Sequence, residues 1–513
     1  MNIFLFQIVN PNTNVSIILP EIIVAVAGIV VMLYDSFFPK QRAVTGAISL
    51  VGLALSAVVL FTMWSDNAVP ATAWNGMIAH DNLRLSFSFV FLLVTAMTIL
   101  ISSVWVERED VPIGEYHCLL LFATVGMMFM ASGNDLVILF LGLETSSLAT
   151  YVMAGLRKTD LRSNESAMKY FILGSFASAF LLYGMALVYG ATGSTNITEI
   201  ALRIANPNFP ALLLVGGAMM IIGFGFKVAT VPFHVWTPDV YEGAPTPVTA
   251  FMAAGPKSAA FASFVRMFVL GFPLIAGVQA SVYLHESWIT ALTVMAGLTM
   301  TVGNIAAIVQ NNVKRMLAYS SIAHAGYALV GFIGAGMATT ADKRDAAIAS
   351  VAFYMLTYAV TNLGAFAIVA LLGQKNDRRT DFEDYNGIGF KSPVLAFALS
   401  LFMLSLLGLP LTAGFMGKVL VFRPALEAGN AMLTLLVVVA VVNTAISAYY
   451  YLRLVVVMFF RERTDEWFAP RIPTALAAVL VITIVGVLYF GIFSDGVIER
   501  FSQSPVTTIR AEK

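Results

Sequence analysis

Long apolar runs, each interrupted by a few polar residues, recur from one end of the chain to the other. Segments near 16–35, 43–64, 83–106, 115–132, 135–155, 166–190, 210–231, 246–270, 288–309, 316–337, 346–373, 393–423, 430–460 and 472–493 each approach the roughly 20 residues an α-helix needs to cross a bilayer. They predict about fourteen transmembrane helices. The runs are continuous, whereas a membrane β-barrel would show alternating segments of about ten residues. In lipid a lone segment must also satisfy its own backbone polar groups, which a helix does. The pattern therefore predicts an all-α polytopic membrane protein.

Composition agrees. The chain has 513 residues, 59% hydrophobic and 11% charged, with a mean hydropathy of +0.85, too little polar character for a soluble protein of this length. Basic and acidic residues balance at 29 each, so no excess charge points to nucleic acid. The single cysteine, Cys118, excludes a disulfide framework, a thiolate zinc site and an iron–sulfur cluster held by this chain alone. The opening "MNIFLFQIVN" has no basic residue ahead of its apolar part and does not read as a cleaved signal peptide.

An even number of spans puts both termini on one side. With that side outside, the inner segments hold fifteen basic residues, among them Lys40, Arg108, Arg157, Lys158, Arg162 and Arg463, and the outer segments six: Arg203, Lys343, Arg344, Arg500, Arg510 and Lys513. The positive-inside bias predicts that both termini face out.

Eight basic residues remain within the spans. Arg84, Lys169, Arg266 and Arg423 lie near predicted helix ends, where a long side chain can snorkel to the interface, and Arg453 is ambiguous. Lys257 is too deep to snorkel, and Lys227 and Lys418 are also internal. Among the acids, Glu144 in "LVILFLGLETSSLATYV" is the one expected deep in a helix. A charge at mid-membrane costs about 2.5–3.5 kcal/mol even on a lenient scale, so these four should face a polar interior. Glu144 with Lys227 is readable as a static ion pair. Lys257 and Lys418 have no second carboxylate in view, which suits groups that load and release protons. His234 and His324 add protonatable groups, and Ser320, Ser321 and Tyr327 beside His324 can help hold a water chain.

"GFGFKV" at 223–228 and "GFMGKV" at 414–419 share Gly-Phe-x-x-Lys-Val. Pro232 follows the first lysine; Gly408, Pro410 and Gly414 precede the second. The copies lie an odd number of spans apart, so they should be inverted. Paired broken helices in inverted repeats point to the transport site of a membrane carrier.

The run "FKVATVPFHVWTPDVYEGAPTPVTAF", followed by "GPK", resembles the signature of the antiporter-like membrane subunits of respiratory complex I, the NADH:quinone oxidoreductase. The likeness extends over essentially the whole chain. It implies two inverted five-helix repeats containing broken helices 7 and 12. The implied division is three N-terminal helices in 1–110, one repeat in 111–275, the second in 285–462, and a last helix with a short tail in 463–513. Lys418 in place of a glutamate, and a chain that ends soon after the last span, point to one branch of the family. By resemblance, Glu144 and Lys227 match a coupling pair, Lys257 a central proton carrier and Lys418 the carrier toward the exit. His324 looks like part of the connecting relay, with His234, Tyr327 and Ser320 as further candidates. The implied activity is proton translocation driven by electron transfer in partner subunits, which would carry FMN and iron–sulfur clusters; this chain is expected to bind no cofactor or metal. The expected partners are the other membrane and peripheral subunits, and the expected location is the bacterial inner membrane. An Mrp-type cation/proton antiporter subunit, or a membrane subunit of a related hydrogenase or ferredoxin-linked complex, would carry the same residues.

Overall fold

A computed structural model describes residues 14–39, 41–65, 71–463 and 470–502. The opening ten residues, Lys40, Arg510 and Lys513, which entered the readings above, lie outside the described residues. Each apolar run becomes one helix, except 393–423, which becomes two. The first are α1 (Leu19–Phe37), α2 (Arg42–Ser65), α3 (Asn82–Glu109), α4 (Ile113–Ser132), α5 (Leu136–Ala154) and α6 (Leu161–Thr192). After the short α7 (Ile197–Arg203) come α8 (Pro210–Val228), the equally short α9 (Thr237–Gly243) and α10 (Thr246–Phe264), which runs on into a π-helical turn, Val265–Leu270. Then follow α11 (Gln279–Ile308), α12 (Val313–Gly336) and α13 (Ala341–Leu372). The last group is α14 (Ile388–Lys391), α15 (Pro393–Leu407), α16 (Ala413–Glu427), α17 (Ala431–Phe460), α18 (Thr474–Ile492) and α19 (Asp495–Ser502).

Among the described residues twelve helices are long and apolar enough to cross a membrane. The fourteen expected spans differ at two places. The run 246–270 is α10 plus its π-turn; every residue of α10 except Pro256 is buried, so this helix is solvated by protein and tolerates Lys257 and several hydroxyls. The run 393–423 is two helices of 15 residues each, α15 and α16, interrupted where Gly408 adopts φ +94°. The structure also has one element outside an all-α reading, a small antiparallel hairpin of β1 (Ala71–Ala73) and β2 (Ile78–His80), with Ile78 bridged to Gly133. It marks one end of the bundle, the hairpin end; the 373–387 segment marks the other, the loop end.

Neighbouring helices are drawn together by small residues. A methyl added to Gly126 on α4 would stand 2.6 Å from the Gly142 carbonyl on α5, and one on Gly142 would stand 2.8 Å from that of Gly126. The same reciprocal seam joins Gly184 on α6 to Gly216 on α8, at 2.8 and 2.9 Å. Backbones this close gain van der Waals packing that lipid-facing leucines cannot supply.

Candidate functional site

Lys227 occupies the last turn of α8, just before Ala229 turns left-handed (φ 63°) and ends the helix. A helix that stops inside a protein leaves carbonyls without partners. Here Trp236 Nε1 donates to Phe226 O at 3.0 Å, and Thr230 N to Gly225 O at 2.9 Å. Trp236 stacks on Tyr170 and on Phe226. That aromatic wall faces the ammonium: Lys227 Nζ lies 5.0 Å from the Tyr151 ring centroid and 5.6 Å from that of Tyr170, a cation–π arrangement. Its hydrogen bonds run to α5, to Ser147 Oγ at 2.7 Å and Tyr151 Oη at 3.1 Å.

Glu144 lies on α5 one turn from Ser147. Its Oε1 accepts a 2.5 Å hydrogen bond from Ser178 Oγ on α6. The static ion pair readable for Glu144 and Lys227 is not formed among the described residues; Glu144 is held by a serine, and Lys227 by a serine and a tyrosine. Nor does Glu144 face only the interior. It is partly exposed at the outside of the chain, on a face it shares with exposed Leu141 and Leu148.

Lys257 sits midway along α10, 3% exposed. Its Nζ donates to Ser321 O at 2.8 Å and also contacts Ser321 Oγ. Lys418, 4% exposed, lies one turn into α16 and reaches back to the C-terminal end of α15, donating to Leu406 O at 3.2 Å and Leu407 O at 2.8 Å. The break at Gly408 frees these carbonyls, and a helix C-terminus favours a cation. Thr444 Oγ1 on α17 adds a contact at 3.4 Å, and the Tyr327 ring centroid lies 4.7 Å away. Among the described residues neither lysine has a carboxylate partner.

His324 stands between the two on α12. Its Nδ1 is 2.7 Å from Tyr354 Oη and its Nε2 3.2 Å from Tyr451 Oη, while Ser320 Oγ is 2.5 Å from the same Tyr451 hydroxyl. Tyr327 is bonded to Asn304 at 3.1 Å. His234 does not join this row: it lies in the turn after α8, beside the Pro232 backbone.

Three buried charge clusters went unread in the sequence. Arg84 and Arg266 do not snorkel; both are fully buried. Arg266 clasps Asp81 with two bonds of 2.6 and 2.7 Å and donates to Ala131 O. Arg84 pairs with Glu21 at 2.8 Å, so Glu144 is not the sole acid inside the bundle. At the loop end, buried Asp377 receives Lys314 and Arg157 at 3.2 Å each, Arg108 at 3.5 Å and the Thr246 backbone N–H at 3.1 Å. Burial alone would raise this carboxyl, but Lys314, Arg157 and Arg108 hold it below the ordinary aspartate range. Among the described residues no group of His, Cys, Asp and Glu side chains could hold a metal ion.

Comparison with known proteins shows the family to which this fold belongs. The family profile described as "NADH:quinone oxidoreductase/Mrp antiporter, TM" matches residues 133–447, and the chain belongs to that family of membrane proteins. Within it, a curated relative from Trichlorobacter lovleyi, named NADH-quinone oxidoreductase subunit N, is 43% identical, covering 98% of this chain and 99% of its own. A subunit of the same name from Chloroflexus aggregans is 39% identical over 97% of this chain and 98% of its own. Among solved structures, a chain of respiratory complex I from Thermus thermophilus with bound aureothin superposes with a TM-score of 0.77 at 35% identity, covering 94% of this chain and 98% of that one. A chain of the Mrp complex from Dietzia shares the fold, with a TM-score of 0.81 at 20% identity over 95% and 96% of the two chains.

Proposed function

We propose that this chain is the N-type, proton-translocating membrane subunit of a bacterial NADH:quinone oxidoreductase. Electron transfer from NADH to quinone takes place in partner subunits that carry FMN and iron–sulfur clusters, and this chain performs no redox step. The observation that carries the reading is the row of buried lysines without carboxylates, Lys257 and Lys418, in a chain so similar to subunit N. An ammonium held only by hydroxyls and carbonyls can give up its proton without stranding a buried anion. An Mrp-type antiporter shares the fold, but the relatives at 39–43% identity bear the oxidoreductase name.

In this reading α15 and α16 together make one broken transit and α10 with its π-turn another, which brings the crossings to fourteen. Residues 111–275 and 285–462 are the inverted repeats, flanked by 1–110 and 463–513, and the termini face outward. In this count the two broken helices, α8 and α15–α16, lie five crossings apart, an odd number, which supports the inversion. Glu144 modulates the proton affinity of Lys227. Protons then pass among Lys227, Lys257 and Lys418 through His324, with Ser320 and Tyr327 beside it.

Lys257→Met in the assembled complex tests this. It keeps the stem volume and removes the carrier, so NADH-driven proton translocation should collapse while native gels show intact complex. Normal translocation by that variant would refute the assignment. Gene deletion separates the Mrp alternative: loss of NADH-driven pumping is expected, and loss of sodium tolerance alone would favour the antiporter.

A further inference from the structure

Among the described residues, Tyr327 brings an aromatic face nearer to Lys418 than any ring stands to the other two lysines. Its centroid is 4.7 Å from Lys418 Nζ, against 5.0 Å at Lys227 and 5.9 Å at Lys257. A π-face attracts an ammonium and does little for a neutral amine, so the place of this ring bears on how readily Lys418 gives up its proton. The other contacts of the ammonium, Leu406 O, Leu407 O and Thr444 Oγ1, belong to helix backbone and a short side chain. The tyrosine is the one that can swing, and its position depends on what holds its hydroxyl.

That hydroxyl is held by Asn304 on α11. Asn304 is fully buried, Tyr327 and Tyr450 are 1% exposed, and Asn443 is 3% exposed. Asn304 Nδ2 donates to Met300 O at 2.9 Å and to Tyr327 Oη at 3.1 Å, with Asn443 Oδ1 further off at 3.3 Å; its Oδ1 accepts from Tyr450 Oη at 2.8 Å. Turning the amide over would set Oδ1 against the Met300 carbonyl, which can only accept. The amide therefore has one orientation and offers the phenol an N–H. Asn443 on α17 is tied in turn to Thr301 on α11 at 3.2 Å. An amide fixed by α11 and α17 thus fixes a ring on α12 that faces a lysine on α16. We infer that Asn304 is a positioning residue for proton release at Lys418: it anchors the Tyr327 phenol and so keeps the ring face on the ammonium. This deepens the proton-translocation reading above and rests on it.

The surroundings give the ring its leverage. Of the helices packed on α16, α15 and α18 carry no charged residue, α17 carries only Arg453, and α12 and α13 carry their charged residues at their ends. On α16 itself Arg423 and Glu427 pair with each other toward the C-terminal end. The buried titratable groups in the middle of the neighbouring helices are His324, Tyr327, Tyr354, Tyr358, Tyr450 and Tyr451. With no carboxylate among them, a neutral π-face is a sizeable part of what favours the charged lysine. A buried asparagine can also join helices simply by hydrogen bonding; that role alone would leave the pH dependence of transport where it was.

Tyr327→Leu removes the face and Asn304→Leu removes the anchor. Tyr327→Phe breaks the same bond from the other side while keeping the ring, and decides the matter if Asn304→Leu fails to assemble. In complexes shown intact on native gels, NADH-driven proton translocation is followed against pH. A weaker hold on the ammonium should move the alkaline limb of that profile to lower pH. The expected shift is about half a unit for Tyr327→Leu, and a smaller one in the same direction for Asn304→Leu and Tyr327→Phe. Combining Asn304→Leu with Tyr327→Leu should move the limb no further than Tyr327→Leu alone, because the asparagine then has no ring to hold. An alkaline limb unmoved in assembled Tyr327→Phe would overturn the inference, and so would shifts that add in the double variant. Lys257→Met keeps the two layers apart. Normal translocation there removes the proton reading itself, whereas severe loss there with an unmoved limb in Tyr327→Phe removes the positioning role alone.

Discussion

Lys257 and Lys418 at the centre of the bundle are nearly as buried as Arg84 and Arg266 at its hairpin end, with exposures of 3%, 4%, 0% and 0%, yet the surroundings are opposite. Each arginine is clasped by a carboxylate. Each lysine is met only by neutral oxygens. A guanidinium cannot be deprotonated in a protein, so the arginine pairs are permanent ties between segments far apart in sequence. The lysines sit where a neutral amine is a tolerable alternative. Pairing and residue type, not depth, separate the charges that hold the protein together from those that can work.

The comparison breaks most visibly at Asp377. Asp377→Asn would leave Lys314, Arg157 and Arg108 buried around a neutral amide, a change worth about 3–5 kcal/mol; the variant should assemble poorly and melt early, whatever the proton chemistry at the centre. The sign of its pH dependence is set by the depressed carboxyl. The stabilisation is complete above the unfolded aspartate value, about 3.9, and is lost as pH falls through the lower folded value. The stability gap between wild type and Asp377→Asn should therefore hold from neutrality to about pH 4 and shrink only below it, measured by thermal unfolding in detergent.

Arg266→Lys keeps the charge but gives up the two-point clasp on Asp81, so it should cost about 1.5–3 kcal/mol in the same assay and leave the protons moved per NADH unchanged in whatever complex assembles. A changed ratio would mean that the end ties take part in transport. Glu144→Gln sharpens the contrast from the other side. Its carboxyl is partly exposed and held by one serine, so stability should shift by less than about 1 kcal/mol, while pumping falls severalfold; normal pumping would reduce Glu144 to packing. The smallest effect is expected from Thr159→Cys and Asn206→Cys, both at exposed turns. Each should be silent in activity, with Thr159→Cys labelled only from the cytoplasmic side and Asn206→Cys only from outside.

The lysine row was legible because an ammonium in a long apolar run has so few explanations, and the helix breaks because Gly408 and Pro232 stand beside the lysines. The ties were not legible. Arg84 meets a partner 63 positions away and Arg266 one 185 positions away, and a charge near a helix end gives no sign of whether it points to water or to a distant acid. Asp377 lies in "QKNDRRTDFEDY", which has the composition of a solvated loop. Tyr354, which bonds His324, did leave a signal: with Thr357, Tyr358 and Thr361 of the same helix it follows the i, i+3, i+4, i+7 spacing of a single helix face, a polar stripe on an otherwise apolar helix.

The glycine seams have a mechanical consequence. Carbonyls of α4 and α5 are locked against each other's glycines, as are those of α6 and α8, so each pair has almost no freedom to slide or roll internally. The bonds from Lys227 to Ser147 and from Ser178 to Glu144 both cross from one pair to the other. This part of the chain is therefore two stiff blocks with a joint between them. The charged groups lie on that joint, where a small relative displacement of the blocks changes their separation and leaves every tight backbone contact intact.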